Sequence, residues 1–164
     1  MSSLKASQGA IPPCLGEKQL SSKPLSPASP TVRARLQGDP ALRDVRAERI
    51  ENGEAWSRIA FSVGALRPGG TYSGPALMAL VDMCMYAAVL GATGEDLRPV
   101  TTNFAITFVR RPPTRDLIAR CTLLSRNSQL IVGSIIVYAE GDEAEVVCTS
   151  TCTYALPPRA NEET

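Results

Sequence analysis

The 164-residue chain contains no histidine. That absence removes Ser-His-Asp triads, Cys-His pairs, imidazole-ligated metals and imidazole acid–base chemistry together. Any catalysis must run on carboxylates, hydroxyls and backbone dipoles. A surplus of charge is also lacking: 17 Lys and Arg stand against 16 Asp and Glu, a net charge of +1, so nothing favours nucleic acid or an anionic membrane surface. The five cysteines (Cys14, Cys84, Cys121, Cys148, Cys152) are odd in number and include no Cys-x-x-Cys pair of the kind that marks zinc or redox sites. If Cys148 and Cys152 share a strand they lie about 13 Å apart, too far to bridge. A reducing, cytoplasmic location follows as the simplest expectation. The N-terminus shows no basic segment leading into an apolar core, so no secretory signal is expected. The longest apolar stretch, Ala76 to Ala92, is interrupted by Asp82 and has no flanking positive charge, which makes it a buried core helix rather than a membrane span.

What is present divides the chain into three parts. Residues 1–30 hold Pro12, Pro13, Pro24, Pro27 and Pro30 among many serines, with too few large apolar groups to offset the entropy of ordering, and read as a disordered tail. Thr31 to Leu36 reads as a short helix stopped by Gly38 and Pro40. A domain spans residues 31–156, and residues 157–164 form a polar C-terminal tail. Within the domain, extended runs Asp44 to Glu51 and Glu54 to Val63 flank Asn52-Gly53, the strongest two-residue hairpin signal. The second run alternates, with Ser57, Ile59, Phe61 and Val63 on one face. Ser73-Gly74-Pro75 marks a helix start, and the helix ends between Gly91 and Gly94. Four more extended runs follow: Val100 to Arg110, Leu117 to Arg126, Gln129 to Glu140 and Ala144 to Leu156, the last reached through Gly141-Asp142. No strand–helix alternation appears, so doubly wound and barrel folds are disfavoured. The expectation is an α+β domain, one long central helix wrapped by an antiparallel sheet of about five to six strands.

Asp82 is the most informative residue. On a helix its neighbours three and four positions away are Met78, Ala79, Met85 and Tyr86, none of them basic. A carboxylate so placed is poorly solvated, its pKa is expected to rise, and it suits a base or nucleophile; the alternative is a buried aspartate that caps a loop or pairs with a remote arginine. Gly74 is the second candidate. Its N–H lies at the positive end of the helix dipole, where an oxyanion is stabilised, although a plain helix cap explains the glycine as well. The two are eight residues apart, about 12 Å of helical rise, so one chain cannot grip a single carbonyl with both. Two antiparallel helices related by a two-fold axis would bring Gly74 of one chain opposite Asp82 of the other.

The run Gly70-Thr71-Tyr72-Ser73-Gly74-Pro75 through Leu80-Val81-Asp82, followed by Val100-Thr101-Thr102-Asn103-Phe104-Ala105-Ile106-Thr107-Phe108 and Arg111-Pro112, resembles the PaaI-like hotdog-fold acyl-CoA thioesterases. The resemblance extends in order from the first hairpin to Tyr154. In that family a Gly-Thr-x-His-Gly-Gly turn opens the central helix, and an acid lies eight residues after the first glycine of the pair. Those positions are Gly74 and Asp82. The resemblance implies that the Gly74 N–H polarises the thioester carbonyl while Asp82 of the facing subunit attacks it or activates a water. It implies that Thr101, or less readily Thr102, helps orient that water, and that the protein is a homodimer with a continuous sheet, paired again into a homotetramer. The family histidine is Ser73 here, its second glycine Pro75, and an asparagine at the head of the turn is Arg67.

Ser73, Arg67, Thr102, Arg110 and Arg111 are the candidate substrate contacts. Arg110 and Arg111, with Arg126 in a turn, could meet the CoA phosphates through bidentate forks, or could simply be solvated strand ends. Trp56 and Tyr86 read as core or dimer-interface residues. The function expected is acyl-CoA thioester hydrolysis on a medium-chain or aromatic acyl group, with no metal and no cofactor. The rival is a noncatalytic acyl-CoA-binding or scaffold protein. A hotdog dehydratase or hydratase is disfavoured, because those relatives use a histidine.

Overall fold

A computed structural model describes residues 44–51, 53–93 and 98–157. The tail at 1–30, the short helix at 31–36, Asn52 of the hairpin turn and residues 158–164 lie outside the described residues. Strand β1 (Val45–Glu51) pairs antiparallel with β2 (Glu54–Ile59), Glu51 facing Glu54 across the expected tight turn, where Gly53 has φ 80°. A 3-10 turn (Val63–Ala65) leads into a minimal hairpin, β3 (Leu66–Arg67) and β4 (Thr71–Tyr72), closed through Gly69 and Gly70 at φ 103° and 69°. Helix α1 (Gly74–Thr93) follows, then β5 (Val100–Phe108), β6 (Leu117–Arg126), β7 (Leu130–Ala139) and β8 (Asp142–Ala155). The main sheet has the order β1-β2-β6-β7-β8-β5, antiparallel throughout. This is the hotdog architecture expected from the sequence.

The helix packs mainly on β1, β2 and β6, burying Leu77, Leu80, Val81, Met83, Cys84, Met85 and the Ala87–Leu90 turn. Inward-facing Ala55, Ile59, Leu117, Ala119, Cys121, Ile135 and Val137 complete the core. Two glycines set the approach of helix to sheet. A Cβ at Gly133 would lie 2.5 Å from Met85 Sδ, and one at Gly91 would collide with Ile50. The helix is not covered all round: Pro75, Met78, Ala79, Asp82 and Tyr86, spaced three or four residues apart, form an incompletely buried stripe. By length and composition alone α1 could cross a membrane, but more than half of that stretch is buried in this core.

The alternation of β2 does not continue to Val63. The strand stops at Ile59, leaving Phe61 38 % and Val63 82 % exposed. The cause is long-range: the Asp116 carboxylate accepts the Phe61 N–H at 2.8 Å and draws the chain out of the ladder. The same carboxylate binds Arg58, whose largely buried guanidinium also pairs with Glu48 and Glu140, tying together β1, β2, the approach to β6 and the end of β7. Arg58→Met should therefore destabilise the domain by about 1–2 kcal/mol, between the values for exposed and buried pairs. The Phe61 N–H and Arg58 hold Asp116 below its ordinary carboxylate range, and Arg58 does the same for Glu140. Depressed folded values give stability that is complete at neutral pH and lost as pH falls below about 4. Urea titrations should show the difference between wild type and Arg58→Met at pH 7 shrinking by pH 3; a gap of equal size at both pH values would contradict this role for the cluster.

Candidate active site

The site residues fall into two groups at different levels of one helix. At the N-terminus of α1, Ser73 is the cap: its backbone N–H donates to the Ala65 carbonyl at 2.9 Å, its Oγ accepts the Ala76 N–H at 3.2 Å, and its carbonyl accepts the Leu77 N–H at 3.2 Å. Pro75 has no N–H to satisfy. The Gly74 N–H consequently stands alone, with no acceptor among the described residues, at the positive end of the helix dipole. Gly74 lines a cleft of about 590 Å³ between the β3–β4 hairpin and the end of β5. Tyr72, Leu77, Phe108 and Pro112 give it apolar walls, and Arg67, Arg110 and Arg111 stand around it. Of these arginines, Arg110 is paired with Glu145, and Arg111 donates to the Gly69 carbonyl at 2.7 Å, which fixes the hairpin turn. The Arg67 guanidinium has no partner among the described residues.

Asp82 lies two turns further along, on the uncovered stripe, and does not line that cleft. Its Oδ1 accepts the Tyr154 hydroxyl at 2.6 Å and the Thr101 hydroxyl at 3.2 Å. Among the described residues no cation pairs with it; the partners of its Oδ1 are hydroxyl groups. The two donors are themselves cross-strand partners, Thr101 on β5 facing Tyr154 on β8. Burial, and after it the Asp82 charge, push the Tyr154 phenol far up, so it is always a donor at physiological pH. Thr102 does not join them. It sits at a break in the β5–β8 register and turns its hydroxyl to the Thr153 carbonyl at 3.1 Å.

Of the residues singled out from the sequence, Gly74, Arg67, Arg110 and Arg111 line the cleft, Thr101 bonds Asp82, Ser73 caps the helix, and Thr102 bonds the Thr153 carbonyl. Tyr154, not among the residues singled out from the sequence, joins Asp82; its signal there is the inward alternation of Cys148, Ser150, Cys152 and Tyr154 on the last strand. Arg126 ends β6 rather than lying in a turn, and bonds the Ala92 carbonyl near the C-terminus of α1. Trp56 is not a core residue. It faces outward between the guanidinium groups of Arg49 and Arg120, at 4.2 and 5.3 Å. Tyr86 stacks on Tyr154 with ring centroids 6.4 Å apart. Cys84, Cys121, Cys148 and Cys152 are free and buried, and burial pushes the Cys84 and Cys148 thiols up to about 12, which disfavours a thiolate nucleophile.

A model of the thioesterase superfamily matches residues 69–146, a range that includes Gly74, Asp82 and Thr101. Among solved structures, a proposed thioesterase from Silicibacter sp. TM1040 is 38 % identical, the match covering 77 % of this chain and 90 % of that one with a TM-score of 0.71. A hypothetical thioesterase from Streptococcus pneumoniae, solved with coenzyme A, shares the fold at 17 % identity, covering 71 % of this chain and 88 % of that one, TM-score 0.63. A variant of the phenylacetic acid degradation protein PaaI from Thermus thermophilus does so at 20 % identity, covering 71 % and 98 %, TM-score 0.63. No curated protein matched the chain.

Proposed function

Because this chain belongs to the thioesterase superfamily, we propose that it hydrolyses acyl-coenzyme A thioesters to free acid and CoA at two equivalent sites, each shared between two copies. The observation that carries this reading is the division of labour along α1. A Gly74 N–H with no acceptor among the described residues opens on a cleft, and a hydroxyl-bound carboxylate with no counter-ion among them sits on the incompletely buried stripe about 12 Å away. Within one chain the two cannot serve a single carbonyl. With a second copy packed two-fold on that stripe, Gly74 of one chain meets Asp82 of the other.

The edge of the sheet supports the same arrangement. Among the described residues β5 pairs with β8 alone, and its Val100 and Phe108 are 63 % and 51 % exposed, so pairing with a second β5 would continue the sheet and cover apolar surface. In the assembled site the thioester oxygen takes the Gly74 N–H, which strengthens as negative charge develops there. The free oxygen of Asp82 either attacks the carbonyl carbon or takes a proton from a water that does so. The C–S bond then breaks, the thiolate leaving and taking up a proton to give CoA-SH. If Asp82 itself attacks, water cleaves the resulting anhydride and restores the carboxylate. The coenzyme A in the pneumococcal relative supports a CoA ester, and the arginine-rimmed cleft offers cationic contacts for its phosphates. The apolar walls suit a medium-chain or aromatic acyl group.

The direct test is free-thiol release from a panel of straight-chain and aromatic acyl-CoAs, with binding of a nonhydrolysable thioether analogue measured alongside. Saturable release proportional to enzyme is expected. Analogue binding without release from any substrate would mark the protein as a noncatalytic acyl-CoA binder.

A further inference from the structure

Asp82 is held by more than the helix that carries it. Tyr154 reaches it from a strand 72 residues away, its hydroxyl 2.6 Å from Oδ1 and 3.3 Å from the Asp82 backbone carbonyl oxygen. Only 2 % of Tyr154 is exposed, and its ring is stacked on Tyr86, one helical turn beyond Asp82. The ring therefore has little freedom to swing away. Thr101, directly across the β5–β8 ladder, delivers a second hydroxyl at 3.2 Å to the same oxygen. Both donors converge on Oδ1, and Oδ2 has no partner among the described residues.

From this arrangement we infer that Tyr154 is a positioning residue: with Thr101 it clamps Oδ1 of Asp82 and so fixes which carboxylate oxygen, and in what orientation, faces the thioester. An aspartate on a helix can rotate about two side-chain torsions, and a free carboxylate would present either oxygen over a range of angles. Misplacement of a reacting group by about 1 Å can lower a rate about a hundredfold. Two donors on one oxygen suppress that rotation, and anchoring them on paired strands makes the aim depend on the sheet rather than on a loop. This inference rests on the hydrolase reading, since it assigns Tyr154 a task within that chemistry.

Its test is Tyr154→Phe, which keeps the buried ring and its stacking on Tyr86 and removes only the donor. The expected result is a kcat lower by about tenfold or more with KM within about twofold, since acyl-CoA binding does not depend on Asp82. The deciding readout is the same substitution in an Asp82→Asn background, where it should produce no further loss because the oxygen it aims no longer reacts. A structural tyrosine would give the same proportional loss in both backgrounds, and that outcome overturns the proposal. So does an unchanged kcat in the single variant. A second measurement needs no variant of Tyr154: with tyrosine labelled at the ring Cζ, only four resonances arise. One of them should stay untitrated to high pH and shift on Asp82→Asn; if none responds, the hydrogen bond and the proposal both fall. Absence of turnover in the wild type is a different result, because it removes the hydrolase reading before Tyr154 is touched.

Discussion

Asp82→Asn is expected to reduce thiol release from acyl-CoA by at least about a hundredfold while leaving acyl-CoA binding in place. The amide keeps the shape of the carboxylate and its Oδ1 can still accept the Tyr154 and Thr101 hydroxyl protons at their present positions. What it lacks is basicity and nucleophilicity at the second oxygen, the one atom of the group that points at no protein donor among the described residues. The thioester would still dock, because the cleft and the Gly74 N–H belong to a different level of the helix. The loss should appear in kcat rather than KM, as for an interaction made in the transition state.

Stability gives an independent reading of the same variant. An aspartate paired with a buried arginine would leave an uncompensated charge behind when neutralised, at about 3–5 kcal/mol. Asp82 has no such partner among the described residues, and its hydroxyl donors are satisfied equally by an amide oxygen. The change in unfolding free energy should therefore stay within about 1 kcal/mol. A large loss of stability with unchanged thiol release would show Asp82 to be structural.

Much of the fold could be read from local sequence, because its signals are local. Asn52-Gly53 announces a hairpin, Ser73-Gly74-Pro75 a helix start, and β6 runs from Leu117 to Arg126 as its apolar pattern indicates. The position and lack of local charge around Asp82 were also visible, since helical spacing alone identifies its neighbours. What escaped the sequence depends on contacts between distant segments. The end of β2 is decided by Asp116, which sits 55 residues beyond the Phe61 N–H it captures. The family resemblance ranks Thr101 above Thr102, but the register break against β8 that accompanies this arrangement, with Thr101 bonded to Asp82 and Thr102 to the Thr153 carbonyl, is not visible in the Thr-Thr pair itself. Tyr154 is recognisable as an inward position on its strand, but its bond to Asp82 depends on the pairing of β5 with β8. Trp56 is a different case. The alternation that buries Ala55, Ser57 and Ile59 already turns it outward, which excludes the core and leaves the interface position open to it.

Mixing two inactive variants tests the shared site most directly. Asp82→Asn removes the carboxylate from one level of the helix. Gly74→Pro removes the N–H from the other, at a first-turn position where proline is tolerated, where that N–H has no protein acceptor among the described residues, and where an added Cβ meets only the Phe108 ring at 3.8 Å. Each variant alone should have about one hundredth of wild-type turnover or less. After subunit exchange at equal concentrations, half the dimers are mixed, and each mixed dimer holds one site with an intact Gly74 from one chain and an intact Asp82 from the other. Thiol release should then recover to about a quarter of the wild-type rate. No recovery, with exchange confirmed by a differently tagged partner, would contradict a catalytic site built from two copies of this chain.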